Sequence, residues 1–232
     1  MSTFSNTIRT ERSVRFPAPR VTLEGDLCLP EGAVGVVLFA HGSGSSRFSP
    51  RNRYVARVLN DVNLGTVLID LLTPGEAATD RRTAHLRFDI GLLADRLIAA
   101  TDWIARDPDT HRLRLGYFGA STGAAASLVA ATQRREMVGA VVSRGGRPDM
   151  AGSLLSQVDA PTLLVVGGED SAVIVLNRRA YARLRCEKEL AIVPGATHLF
   201  EEPGTLGAAA TLARDWLQRF LAPVAEQRRK FQ

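Results

Sequence analysis

The 232 residues are 45% apolar and 23% charged, with 20 Gly, 11 Pro and a formal net charge of +5, a balance that specifies one α/β-sized domain and excludes a disordered chain. No uninterrupted apolar run exceeds the five residues Val36–Ala40, far short of the roughly 20 that a bilayer-spanning helix needs. The charge sits at the ends: residues 1–20 and 219–232 carry +3 each and 21–218 carry −1, with no basic stripe interleaved with aromatics, so a nucleic-acid partner is not expected.

The first fifteen residues hold no apolar signal core, and Cys28 and Cys186 stand at neither CxxC nor metal-ligand spacing. A cytoplasmic protein without a disulfide framework or a membrane partner is the expectation. Residues 1–12 read as a flexible N-terminus, 13–222 as a single domain and 223–232 as a basic C-terminal tail.

In chain order, Val14 to Leu29 contains two apolar runs separated only by Pro17, Pro19, Glu24 and Gly25, which predicts antiparallel strands. Solid or alternating runs rich in Val, Ile and Leu follow at 34–40, 65–71, 114–119, 138–143, 162–167 and 189–193. Between them Phe88–Arg106 places Leu93, Leu97, Ala100 and Ile104 on one helical face, and Gly207–Leu221 does the same with Ala209, Leu212, Ala213, Trp216, Leu217 and Phe220. Strands alternating with helices predict a mainly parallel sheet with helices on both faces. Fewer than twenty residues separate Ser143 from Thr162, which leaves no room for a lid domain.

The segment Leu115–Ala124 runs an apolar strand into Gly119-x-Ser121-x-Gly123 and then a small-residue helix. A serine on so sharp a strand-to-helix turn has a strained backbone, and its neighbours two residues away must be small. This is the nucleophile-elbow pattern, which requires an acid and then a histidine past later strands. Asp170 follows the strand 162–167 and His198 follows the strand 189–193, in the required order Ser121, Asp170, His198. Glu169 and Asp149 are the rival acids. In this arrangement His198 takes the Ser121 proton and Asp170 orients the imidazole.

An oxyanion needs two backbone N–H donors. Thr122, directly after the serine, supplies one; the loop His41-Gly-Ser-Gly-Ser-Ser-Arg47 supplies the other, from Ser43 or, alternatively, Gly42. That loop lacks the Gly-Lys-Ser/Thr ending of a P-loop and the third glycine of a dinucleotide fingerprint. His41, His85, His111 and His198 show no metal-ligand spacing, so neither a metal nor another cofactor is expected.

On His41–Gly44, Gly119–Gly123, Gly167–Asp170 with Val173, and Gly195–His198, the chain resembles the α/β-hydrolase superfamily, and within it the dienelactone hydrolase family, over nearly its whole length. The resemblance implies a lidless α/β-hydrolase fold with an eight-stranded, mainly parallel sheet and catalysis without a cofactor. Dienelactone-cleaving members use cysteine at the elbow where this chain has Ser121, and their substrate-carboxylate arginines find no match here, so lactone specificity does not follow.

Loops at the carboxyl ends of the strands face such a site, so Arg144 or Arg147 is expected to bind an anionic substrate group; surface pairing with Asp149 is the alternative. The activity expected is serine hydrolysis of a small ester, lactone or thioester by a monomer or homodimer. Acyl transfer or perhydrolysis by the same triad, and noncatalytic binding on the same fold, are the competing readings.

Overall fold

The computed structural model describes residues 9–223. Eight strands, β1 (Arg9–Ala18), β2 (Val21–Pro30), β3 (Gly35–Ala40), β4 (Leu64–Ile69), β5 (Arg114–Ala120), β6 (Val138–Arg144), β7 (Thr162–Gly167) and β8 (Lys188–Val193), form one sheet in the order β1-β2-β4-β3-β5-β6-β7-β8. β2 runs antiparallel to both of its neighbours, and the pairings from β4 to β8 are parallel. β1 pairs with β2 along its length, from Arg9 with Pro30 to Ala18 with Val21, so residues 9–12 of the expected N-terminal segment lie in a strand. The other parts of the two expected terminal segments, residues 1–8 and 224–232, lie outside the described residues.

Among the described residues six α-helices, α1 (Pro50–Asn60), α2 (Pro74–Thr83), α3 (Ile90–Ile104), α4 (Thr122–Gln133), α5 (Ser171–Arg183) and α6 (Thr205–Leu221), accompany the sheet. The buried strand β3 shows why both faces are covered. Val36, Leu38 and Ala40 point into a core shared with α3, α4 and α5, whereas Val37 and Phe39 point into a core shared with α1 and α6. Period-two alternation with apolar residues on both sides is what a doubly covered parallel strand requires. Between β6 and β7 lies a 3-10 segment, Pro148–Gln157, and no separate domain. No helix among the described residues is long and apolar enough to cross a membrane.

The strand order places the site. From β3 the chain steps outward to β4, then returns past β3 to β5. Adjacent parallel strands whose connections leave on opposite sides open a crevice at their carboxyl ends, where ligands bind in such sheets. The carboxyl end of β3 carries the His41–Arg47 loop, and that of β5 carries Ser121.

Candidate active site

Ser121 has φ 50° and ψ −122°, a left-handed backbone for a non-glycine residue, which costs on the order of 1–3 kcal/mol and persists only where the surroundings impose it. A Cβ at Gly119 would lie 2.4 Å from Ala124 Cα, and one at Gly123 would lie 2.3 Å from Ala40 O. Glycine at both positions therefore lets α4 begin directly against β3 and β5. The helix is buried from Thr122 through Ala131, and its first N–H groups point back over the serine.

The turn after β6 holds the elbow from the other side. Arg147 N–H donates to Ser121 O at 3.0 Å, and Gly145 N–H to Val165 O at 2.7 Å. Asn177 on α5, which is buried, donates from Nδ2 to Gly146 O at 3.0 Å. Gly145, with φ 51°, lies against the base: a Cβ there would stand 3.0 Å from His198 O and 3.8 Å from His198 Cε1. Ser121 and His198 thus share contacts with one turn. The Ser121 hydroxyl makes no hydrogen bond among the described residues, and such contacts often tighten only with substrate bound.

His198 Nδ1 donates to Asp170 Oδ2 at 2.6 Å, which leaves Nε2 as the free acceptor. Asp170 lies just past β7, with a side chain 14% exposed against 41% for His198. Of the rival acids, Glu169 is exposed and Asp149 is taken by Arg147. The histidine loop is fastened by groups that the sequence reading missed. Thr197 donates to Glu202 through its N–H at 3.0 Å and its hydroxyl at 2.6 Å, and these bonds hold the Glu202 carboxyl below its ordinary pKa. Phe200, buried at φ 57°, anchors the same loop. The spacing Thr197-x-x-x-x-Glu202 was the available signal.

Ser43 and Thr122 stand together, their hydroxyls 3.2 Å apart, and neither backbone N–H has a partner among the described residues. Gly42 packs against the elbow, where a Cβ would fall 2.9 Å from Ser121 Cβ. Gly42 to Ser45 forms a turn, closed by Ser45 N–H to Gly42 O at 3.2 Å, with Gly44 at the position that needs its φ of 68°.

Beside these groups lies a cavity of about 370 Å³ whose lining includes Ser43 and Thr122, the apolar Leu71, Leu72 and Pro74, the arginines Arg81 and Arg87, and the carboxylates Glu24, Asp70 and Asp80. Arg87 is aimed by Asp80, a buried carboxylate that accepts from its Nε at 2.7 Å and from its N–H at 3.1 Å.

The two arginines expected at the substrate are not the ones that line this cavity. Arg147 is held by Asp149 in a bidentate pair at 2.9 and 2.8 Å, and Arg144 is buried on the opposite face of the sheet between Phe118 and Phe200. Strand alternation decides Arg144: it shares a side with Ala140 and Val142, which face α1 and α6. Among the described residues, no three His, Cys, Asp or Glu side chains converge as a metal-binding group.

The model of the dienelactone hydrolase family matches residues 68–225, more than half of the chain. The chain belongs to the dienelactone hydrolase family. A dienelactone hydrolase crystal structure from Anabaena variabilis is 59% identical, with a TM-score of 0.90 over 92% of this chain and 99% of that one. Est1E from Butyrivibrio proteoclasticus, 14% identical with a TM-score of 0.74 over 89% of this chain and 98% of that one, shares the fold. A Mycobacterium tuberculosis protein whose provisional name is phosphoribosyl transferase is 57% identical over 206 residues, 89% of this chain and 46% of that protein. The chain therefore spans about half the length of that curated relative.

Proposed function

We propose that this member of the dienelactone hydrolase family is a serine hydrolase of small carboxylic esters, lactones or thioesters. One observation carries the reading: the His198–Asp170 hydrogen bond stands at the turn that also holds the strained Ser121, beside two unpaired N–H groups. Ser121 Oγ attacks the acyl carbon while His198 Nε2 takes its proton, and Asp170 fixes the tautomer and stabilises the imidazolium. The Ser43 and Thr122 N–H groups receive the oxyanion. His198 then protonates the leaving oxygen or sulfur, and water attacks the acyl-enzyme by the same route in reverse.

The mixed lining of the 370 Å³ cavity suits a small acyl group with an apolar body. Its carboxylates are engaged, Asp70 and Glu24 by Arg47 and Asp80 by Arg87, so Arg81 and the Arg87 Nη1, which has no partner among the described residues, suit an anionic terminus. Phosphoribosyl transfer, the activity in the provisional name of the M. tuberculosis relative, is not carried over, because this chain matches only 46% of that protein.

Steady-state hydrolysis of p-nitrophenyl acetate and a lactone panel tests this. Ser121→Ala and His198→Ala should each lower kcat by about 10⁴-fold or more, with Asp170→Asn close behind. Arg87→Gln should raise KM for an acyl group bearing a carboxylate by roughly tenfold, whereas Arg147→Ala leaves it unchanged. Parent-like turnover by folded Ser121→Ala would overturn the mechanism.

A further inference from the structure

The loop carrying Ser43 is fastened at both ends to two consecutive residues past β4. At its start, Leu71 N–H donates to His41 Nε2 at 3.0 Å, so Nε2 is the unprotonated nitrogen and the proton resides on Nδ1, which donates to Gly42 O at 2.9 Å. His41 is buried. Burial pushes its pKa down, against smaller opposing effects of Gly42 O and Asp70, which favours the neutral ring that the Leu71 N–H bond to Nε2 requires. At the loop's end, Asp70 Oδ1 accepts Arg47 N–H at 2.7 Å, its Oδ2 accepts from the Arg47 guanidinium, and Glu24 accepts from Arg47 Nη2 at 2.9 Å.

Gly42 O thus receives two donors, His41 Nδ1–H and Ser45 N–H. The Gly42–Ser43 peptide is planar and trans, so a carbonyl held toward those donors turns the Ser43 N–H the opposite way. Rotation of that peptide would break both bonds and turn a carbonyl toward the place of the N–H.

We propose that His41 and Asp70 are positioning residues that lock the Ser43 N–H in its oxyanion-binding direction, a role that rests on Ser121 being the nucleophile. Neither touches the reacting atoms. His41 sets the peptide plane, and Asp70 prevents the loop from lifting at Arg47.

Conservative variants separate the two ring nitrogens. Asn at 41 can donate from the Nδ1 position to Gly42 O but leaves Leu71 N–H unpaired; Gln can accept from Leu71 but has no donor at Nδ1. In p-nitrophenyl acetate hydrolysis, His41→Gln should lose roughly 10²-fold in kcat with KM within about threefold, while His41→Asn stays within about tenfold of the parent. Affinity for a trifluoromethyl ketone, whose adduct is an oxyanion, should fall in step with kcat. Asp70→Ala should lose roughly tenfold in kcat, and Asp70→Asn, which keeps the acceptor for Arg47 N–H, should recover most of it; this pair decides the matter if the His41 variants do not fold. Equal losses in Asn and Gln variants, losses confined to KM, or parent-like kcat in folded His41→Gln would overturn the inference. Ser121→Ala, run in parallel, separates this failure from that of the catalytic reading, because full activity there sinks the nucleophile itself.

Discussion

Replacing Gly123 by alanine tests the packing that creates the elbow. The new Cβ would meet Ala40 O at 2.3 Å, His41 O at 2.6 Å and Ala40 C at 2.7 Å, against ordinary contacts from 3.4 Å outward. Relief requires the start of α4 and the end of β3 to separate by about 1 Å, and none of the three atoms belongs to a side chain that can rotate away. Overpacking of this kind costs about 1–3 kcal/mol. The upper end applies because the obstruction is backbone, and the helix preference of Ala over Gly returns up to about 1 kcal/mol. A net loss of ~2 kcal/mol follows. The same displacement carries His41 to Ser43 away from Thr122 and parts the two N–H donors, so kcat should fall by about 10²-fold. Guanidinium chloride unfolding and p-nitrophenyl acetate turnover measure both effects. Gly75→Ala is the control: it lies in α2 with nothing within 4 Å of the new Cβ, and should keep kcat and gain up to about 1 kcal/mol. An unchanged unfolding midpoint with kcat within threefold in Gly123→Ala would refute the steric argument.

The buried hydroxyls of Thr101 and Tyr117 hydrogen-bond at 2.6 Å, so Thr101→Val should cost about 1–3 kcal/mol by stranding the phenol, and the double change with Tyr117→Phe should cost less than the sum; additive losses in urea unfolding would contradict this. Hydrogen bonds from Arg134 hold the Asp102 carboxyl below its ordinary pKa, against partial burial. A depressed folded pKa stabilises above the unfolded value near pH ~4 and is lost as pH falls through the folded one. Asp102→Asn should therefore cost up to about 1 kcal/mol at pH 7, with the gap to the parent closing at acid pH; a pH-independent gap would count against the pairing. Burial pushes the Arg144 guanidinium down to about 10, with Arg51 adding repulsion, and its Nε and Nη1 have no partner among the described residues. Arg144→Met should raise stability by about 1–2 kcal/mol, a Tm increase of roughly 2–8 °C; a lowered Tm would show that the charge is compensated.

The strands and the three residues proposed as the triad were legible because their signals are local. β3 and β7, and β5 after Arg114, are buried along their length and read as mainly apolar runs, and Ser121, Asp170 and His198 each stand within five residues of a strand's end. Helix α2 was not legible, since its one buried residue is Asp80 and it carries no apolar stripe. Its sequence signals are confined to its ends: the capping box of Thr73 and Glu76 with Pro74 at the first position, and Arg81 and Arg82 in the last turn. Two features that spacing does not show keep the arginines expected at the substrate off the lining of the cavity: the alternation of β6 sends Arg144 to the far face, and Asp149, two residues on, pairs with Arg147. The part played by His41 was equally hidden, because the amide that defines its tautomer belongs to Leu71, thirty residues away in sequence.

The most direct measurement is covalent. A fluorophosphonate probe incubated with the folded protein and located by peptide mass spectrometry should form one phosphonyl adduct on Ser121, absent from Ser121→Ala and slowed at least 10²-fold in His198→Ala. A folded, unmodified Ser121, or an adduct on another serine accompanied by full esterase activity, would contradict the assignment of Ser121 as the nucleophile.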